Sequence, residues 1–340
     1  MPLRWGIVGT GSIADQRMAP ALNRVTNTEL IAVCSRSMER AKSFATKHRI
    51  EYAYDSLSKM LQNQELDVVY IATPNSVHAQ QTIEAAYAGK HVLCEKPMAL
   101  TVRDAELMIE ACNKNKVRLG VDFQNRYHPA HIEAQRNIQS GMVGKIYLAK
   151  AQYCSDRFRG YWRKHKGWRN DPIMAGAGAL VNSGVHPIDL LRFLVRSEIE
   201  EVRALTDEKL PKYPVDDMVY VIMEFENGMR AVVISGILVP RSDNDVVLYG
   251  SKAKITCKGT VGVRLQGEFL LEGNSLNTRM VFSTDDPMSA LYTPVVEAFN
   301  KCIDENTEPE ISGYDGLKMV RIVDAILESS RQDRTIKITR

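Results

Sequence analysis

Lys96 stands in the tripeptide Glu95-Lys96-Pro97, directly after the apolar run His91-Val92-Leu93-Cys94. A lysine placed where a strand of a parallel sheet ends faces a bound molecule more often than solvent, because ligands gather beyond the carboxyl ends of such strands. The proline that follows keeps Lys96 out of helical conformation. A Lys-Pro bond can also be cis at modest cost, as happens in tight, fixed turns. An ammonium held this way can stabilise negative charge on a reacting oxygen or exchange a proton with it. Taken alone, the tripeptide favours a surface lysine in an ordinary turn.

Three further turns carry chemistry. Gly9-Thr10-Gly11-Ser12-Ile13-Ala14 follows a strand-like run and opens a helix, in the G-x-G-x-x-A arrangement. Gly9 permits the tight turn, Gly11 lets backbone approach a pyrophosphate and small Ala14 allows close helix packing, while the helix start offers N–H donors. Thr10, Ser12 and Ile13 complete this expected cofactor-binding turn. The second strand ends Cys34-Ser35-Arg36-Ser37, where a carboxylate would hold ribose hydroxyls, and none is there. Ser35, Arg36 and Ser37 offer donors that suit a 2′-phosphate, and Arg40 is placed to assist, so NADP(H) is favoured and NAD(H) stays possible. Arg36 can equally stack on adenine or point to solvent, and Arg40 can be a helix-surface charge. In the third turn, Thr73-Pro74-Asn75-Ser76-Val77-His78, Thr73 and Asn75 can contact ribose or nicotinamide, and His78 reads as a packed or capping residue of the same cofactor-binding turn.

These turns need a scaffold, and the chain's rhythm supplies one. Up to Asp122, strand-like runs (Trp5 to Val8, Leu30 to Cys34, Val68 to Ile71, His91 to Cys94, Val117 to Val121) alternate with helical patterns. The helices are expected near Ala14 to Arg24, Met38 to His48, Ser56 to Gln62, Val77 to Ala88 and Val102 to Asn115. Apolar runs such as Val68-Val69-Tyr70-Ile71-Ala72 imply burial on both faces. The fold class is therefore α/β: a doubly wound parallel sheet over residues 1–122, then an α+β domain over 123–340 with a large open, mostly antiparallel sheet. Its strand candidates are Ile146 to Tyr153, Glu201 to Thr206, Met218 to Glu226, Met229 to Ile234 and Asp245 to Leu248, with a hairpin at Asn227-Gly228. Helices are expected over Val185 to Leu194, Leu291 to Glu305 and Asp315 to Gln332. The sheet face left without helices makes self-association plausible.

Composition narrows the class. With 25% charged and 44% hydrophobic residues among 340, the chain reads as a soluble globular protein of two domains. No segment approaches the roughly 20 apolar residues of a membrane span, and the start Met1-Pro2-Leu3-Arg4-Trp5 shows no leader, so export is not expected. Six scattered cysteines suit a reducing cytoplasm, with Cys34 and Cys94 read as small buried hydrophobes. The seven histidines have no metal-ligand spacing, so no metal is expected. A net charge of +3 does not imply nucleic acid, although Arg157 to Arg169 reads as an anion-facing loop.

The four turns, together with Val143-Gly144-Lys145-Ile146, Gly184-Val185-His186-Pro187-Ile188-Asp189 and Ile311-Ser312-Gly313-Tyr314-Asp315-Gly316, resemble the glucose-fructose oxidoreductase, inositol dehydrogenase and MocA (Gfo/Idh/MocA) family across nearly the whole chain. The resemblance implies a Rossmann domain followed by an α/β domain whose open sheet builds dimers or tetramers. It also implies pyridine-nucleotide redox chemistry on a sugar, inositol or related polyol. It sets Lys96 between nicotinamide and substrate and Glu95 on the nicotinamide ribose, and maps His186 onto the acid/base histidine. Asn182 falls on the family's aspartate, and an asparagine hydrogen-bonds a hydroxyl but accepts no proton. Trp168-Arg169 is similar to a pair near the nicotinamide in NADP-using members, and Arg126 and Tyr127 are further candidates to line the site. Asp189, three residues after His186, is placed to orient its imidazole.

Hydride transfer needs a positioned acid/base for the alcohol proton. In the reductive direction His186 is expected to donate that proton while Lys96 stabilises the alkoxide, with the roles reversed in oxidation. Two other classes fit the same residues: a glycoside-processing enzyme whose bound cofactor is oxidised and restored, and a non-catalytic NADP-binding sensor.

Overall fold

The computed structural model describes residues 2–156, 167–210, 214–274 and 277–339. Contacts divide the chain into two compact units, one of Met1–Phe123 with Met288–Val320, the other of Gln124–Pro287 with Arg321–Arg340.

In the first unit, β1 (Leu3–Val8), β2 (Thr28–Cys34), β3 (Tyr52–Tyr54), β4 (Val68–Ile71), β5 (His91–Glu95) and β6 (Leu119–Asp122) form one sheet in the order β3-β2-β1-β4-β5-β6. Every pairing is parallel. This is the doubly wound order whose direction reverses between β1 and β4, where a crevice opens at the strands' carboxyl ends. All of β4 is buried, as its unbroken apolar run requires. The helices between the strands are α1 (Ala19–Leu22), α2 (Met38–His48), α3 (Leu57–Leu61), α4 (His78–Tyr87) and α5 (Val102–Lys114).

The first helix departs from a plain α-helix. Ala14–Met18 is a π turn in which the Ala19 N–H reaches back to the Ala14 carbonyl. Pro20, just beyond, has no N–H to give the carbonyl four residues back, so the ladder is already broken there. Strand β6 begins at Leu119, two residues later than the apolar run from Val117 suggests, because Lys116 adopts φ 55° and turns the chain.

The second unit opens with α6 (Pro129–Gln139) and carries α7 (Pro172–Ala175) and α8 (Val185–Val195). Its strands are β7 (Ile146–Cys154), β8 (Ile199–Asp207), β9 (Met218–Phe225), β10 (Arg230–Gly236), β11 (Val246–Gly250), β12 (Ala253–Lys258), β13 (Gly267–Gly273) and β14 (Asn277–Phe282). With β15 (Ile336–Lys337) they form a nine-stranded sheet, β14-β13-β12-β11-β7-β10-β9-β8-β15, antiparallel except for the β7–β10 pair. The Asn227-Gly228 turn joins β9 to β10, with Gly228 at φ 77°. On one sheet face Leu205, Tyr220 and Ile222 stay exposed, Leu205 opposite Tyr220 in register. A second π turn, Leu180–Gly184, leads into α8 ahead of Pro187.

The chain then contributes α9 (Thr293–Asp304) and the start of α10 (Gly313–Gln332) to the first unit. Trp5 Nε1 donates to Asn300 Oδ1 at 3.0 Å, and its ring meets Phe299 edge-on. Gly120 bridges to Ser312, so the returning segment closes the β6 edge. All six cysteines are buried and unpaired, and burial pushes the thiols of Cys34 and Cys112 up to about 11 and about 12. Among the described residues no helix is long and apolar enough to cross a membrane.

Candidate functional site

In the first unit the four turns lie at the carboxyl ends of neighbouring strands, which the register aligns at Val8, Cys34, Ile71 and Cys94. Gly9 has φ 106°, and a Cβ there would stand 2.5 Å from the Ala72 carbonyl oxygen, so only glycine fits. Around Gly11 nothing lies within 4 Å of where a Cβ would be. That open backbone is the cradle a pyrophosphate needs, and buried Ala14 packs behind it. Thr10 and Ser35 hydroxyls meet at 3.2 Å, tying the first turn to the second. Ser37 Oγ accepts from Arg40 N at the start of α2, so that hydroxyl serves as a helix cap. Arg36 and Arg40 are exposed.

His78 bridges the third and fourth turns. Its Nδ1 lies 2.9 Å from the Pro97 carbonyl and its Nε2 3.0 Å from the Thr73 carbonyl, so both ring nitrogens are taken by backbone. Burial lowers its pKa, while the two carbonyls pull the other way. Thr73 Oγ1 donates to Gln81 Oε1 at 2.6 Å. Pro74 precedes the short helix Asn75–Val77, in which Asn75 is buried. The Lys96-Pro97 bond is cis, and Lys96 is half-buried.

Beneath Lys96 lies an acidic network that spacing alone does not reveal. Tyr70 Oη donates to Glu95 Oε1 at 2.5 Å and stands 3.2 Å from Asp122 Oδ2. Glu95 and Asp122 are opposite one another in register on β5 and β6. Glu95 Oε2 accepts the Lys96 backbone N–H at 3.2 Å. Tyr70 and Asp122 are fully buried. Burial, and next the charge of Glu95, push the Asp122 carboxyl well above the usual carboxylate range. The phenol has one proton, and the shorter bond assigns it to Glu95, so a protonated Asp122 completes the chain by donating to Tyr70. The same burial pushes the Tyr70 phenol well up.

In the second unit, His186 is 3% exposed at the start of α8. Its Nδ1 lies 3.1 Å from Asn125 Nδ2, and Tyr153 of β7 meets the ring at 63°. Asp189, expected to orient His186, does not. Both of its oxygens accept from Arg126, Oδ2 from Nε at 2.8 Å and Oδ1 from Nη2 at 2.5 Å. A guanidinium fork outcompetes an imidazole for a carboxylate, and both ions are too buried to stay unpaired. Arg192 extends the chain from Asp189, at 3.5 Å, to Glu198, at 2.8 Å. Arg126, a candidate to line the site, and Asp189 are thus partners of each other.

Asn182 is half-buried between buried neighbours in the π turn. That turn starts firmly, because the Asp216 carboxylate accepts from Gly178 N at 2.6 Å and Leu180 N at 2.7 Å. Tyr127 follows Arg126 in the short helix Gln124–Tyr127. Arg169 lies over the Trp168 ring, 4.4 Å from its centroid. Most of the expected anion-facing loop, 157–166, lies outside the described residues. Sequence reasoning passed over Asn125, Tyr153 and Asp122, whose polar atoms complete these arrangements.

Comparison with known proteins agrees with this architecture. Residues 3–123 match the family model described as an oxidoreductase family with an NAD-binding Rossmann fold, and residues 131–256 match the Gfo/Idh/MocA C-terminal domain. A 1,5-anhydro-D-fructose reductase of Ensifer adhaerens is 28% identical over 92% of each chain. A myo-inositol 2-dehydrogenase of Thermotoga maritima is 25% identical over 99% of this chain and 98% of its own. The crystal structure of an aldose-aldose oxidoreductase from Caulobacter crescentus, complexed with glycerol, superposes with a TM-score of 0.89 at 28% identity, covering 99% of this chain and 100% of the other. With both halves matched and the Rossmann order and nine-stranded sheet in place, the chain belongs to the Gfo/Idh/MocA family of oxidoreductases.

Proposed function

We propose that this protein is an NADP(H)-dependent oxidoreductase that moves a hydride between nicotinamide and a hydroxyl or carbonyl of a sugar or polyol. The observation that carries the reading is the Lys96 turn at the end of β5, in the same row of strand ends as the glycine turn after β1. Relatives named for anhydrofructose, inositol and aldose chemistry support the substrate class.

The residues present fit a dinucleotide: Gly9 and Gly11 leave the close backbone approach that a phosphate requires. When bound, the nicotinamide gives or takes the hydride. With Ser37 engaged as a cap, discrimination for a 2′-phosphate rests on Ser35 and Arg36, with Arg40 next along. Thr73, Pro74 and Asn75 border the nicotinamide half, and Glu95 orients its ribose. Lys96 and His186 handle the charge and proton of the substrate oxygen. Asn182, Tyr127 and Trp168 bind substrate hydroxyls, and Arg169 lies near the nicotinamide. Residues 1–122 serve the cofactor, and 123–340 serve substrate and assembly. The exposed Leu205, Tyr220 and Ile222 row supports assembly through the open sheet face into a homodimer or homotetramer. The cytoplasm is the proposed compartment.

The test is direct. Purified protein is titrated with NADPH and NADH, then screened against sugars and polyols in both directions beside Lys96→Ala and His186→Ala. Tighter NADPH binding, with turnover lost in both variants, is expected. Equal affinity for the two nucleotides removes the cofactor preference, and full turnover by Lys96→Ala sinks the proposal.

A further inference from the structure

The His186 ring is held by an amide whose orientation is fixed from its other end. Asn125 Oδ1 accepts from the Gly262 N–H at 3.0 Å. Gln124 Nε2 donates to the carbonyl of the same Gly262 at 3.2 Å, so the backbone N–H and C=O of that residue are both held. The Asn125 backbone carbonyl is anchored too, 2.6 Å from His131 Nδ1. With its oxygen committed to Gly262, Asn125 presents Nδ2 to His186 Nδ1 at 3.1 Å. An amide nitrogen only donates, so Nδ1 accepts and the ring proton resides on Nε2.

Protonating Nδ1 would set two N–H groups against each other. Turning the amide round relieves that clash only by setting Nδ2 against the Gly262 N–H, and with Asn125 2% exposed, water is not at hand to relieve either arrangement. Among the described residues, the charged groups of the same helix are Asp189 and Arg192, joined with Arg126 in one ion chain. Tyr153 presents its ring.

We propose that Asn125 is a positioning residue that locks His186 as a neutral Nε2–H hydrogen-bond donor, so that the transferable proton belongs to Lys96. This rests on the proposed function and changes its division of labour. In the reductive direction the carbonyl carbon takes the hydride from the reduced nicotinamide dinucleotide, and the C=O pair moves onto oxygen. That oxygen takes a proton from Lys96 Nζ, so an N–H bond breaks, an O–H bond forms and the ammonium becomes an amine. His186 donates a hydrogen bond throughout and keeps its proton.

The experiment uses the full chain labelled with 15N-histidine, with and without NADPH. Two-bond 15N–1H correlation reads the tautomer of His186, assigned by the peak missing in His186→Gln. The Nε2–H pattern across the neutral range is expected, and an Nδ1–H or imidazolium pattern overturns the proposal. The near-isosteric Asn125→Asp puts an acceptor on Nδ1, and should raise the His186 titration midpoint by about one to three pH units and add a histidine limb to the kcat/KM profile. An unchanged titration also overturns it. His186→Ala should lose about 100- to 1000-fold in kcat, as for other single donors of this kind, whereas His186→Gln, which keeps an N–H, should recover most of that loss. Full turnover by His186→Ala would instead sink the proposed function, leaving the tautomer measurement intact.

Discussion

Tyr70 donates its phenolic proton to Glu95, the residue before the candidate catalytic lysine, across the ends of two adjacent strands. Because Glu95 in turn accepts the Lys96 backbone N–H, the phenol sets the carboxylate that sets the turn. Tyr70→Phe removes the phenol that links the two carboxyl groups. We expect a stability loss of about 1–3 kcal/mol in urea unfolding, with turnover reduced further than nucleotide affinity. Unchanged stability would show that the phenol is not needed between the two acids.

Asp122 gives a prediction in pH. Its folded pKa is raised above 3.8 by burial and by Glu95, so the folded chain holds a proton that the unfolded chain has released. Its contribution to stability is therefore complete below about pH 4 and declines as pH rises toward the folded value. Asp122→Asn imitates the protonated acid and should flatten this decline, leaving the variant at least as stable as the native chain at neutral pH. A steeper decline in the variant would contradict the protonated assignment.

His128 acts in the opposite sense. Its Nδ1 accepts from Ala130 N as the cap of α6, and its Nε2 donates to the Gln266 carbonyl. Burial pushes it down to about 4 from 6.5. The unfolded chain binds the extra proton in that window, so stability is lost as pH falls from 6.5 toward about 4, by roughly 3 kcal/mol. His128→Asn keeps a capping side chain and should lose that share of the acid sensitivity in unfolding curves taken through the window.

Gly11 separates binding from folding. With nothing within 4 Å of its would-be Cβ, Gly11→Val should change stability by no more than about 1 kcal/mol. It should nonetheless weaken NADPH and NADH binding at least tenfold, because the added side chain takes the space of the pyrophosphate. Calorimetric titration and a thermal melt on the same sample test both halves.

Much of this was legible in the residues. The helix Met38–His48 is expected from its helical pattern between two strands, and it forms over those residues. The glycine turn and the buried β4 run were equally plain, since each follows from local sterics or local burial. What stayed hidden depends on distance in sequence. Asn125 meets His186 from 61 positions away and Arg126 meets Asp189 from 63, and no spacing rule links them. The helix α6 went unread because its cap is a histidine rather than Ser, Thr, Asp or Asn. Three-residue β3 is too short for alternation to show, and β13 begins and ends in glycine, with Gly267 at φ 117°.

The π turn ahead of α8 sets an angular phase. One residue more than an α-helix requires is wound into Leu180–Gly184, which shifts everything downstream by about 100° relative to the start that Asp216 holds. His186 therefore faces Asn125 by virtue of a surplus residue, not of its own identity alone. Deleting one residue between Val181 and Ser183 would leave the histidine, its helix and its partner in the sequence, and turn the ring away from the amide. In this segment the length of the chain is as much a determinant of the site as the side chains it carries.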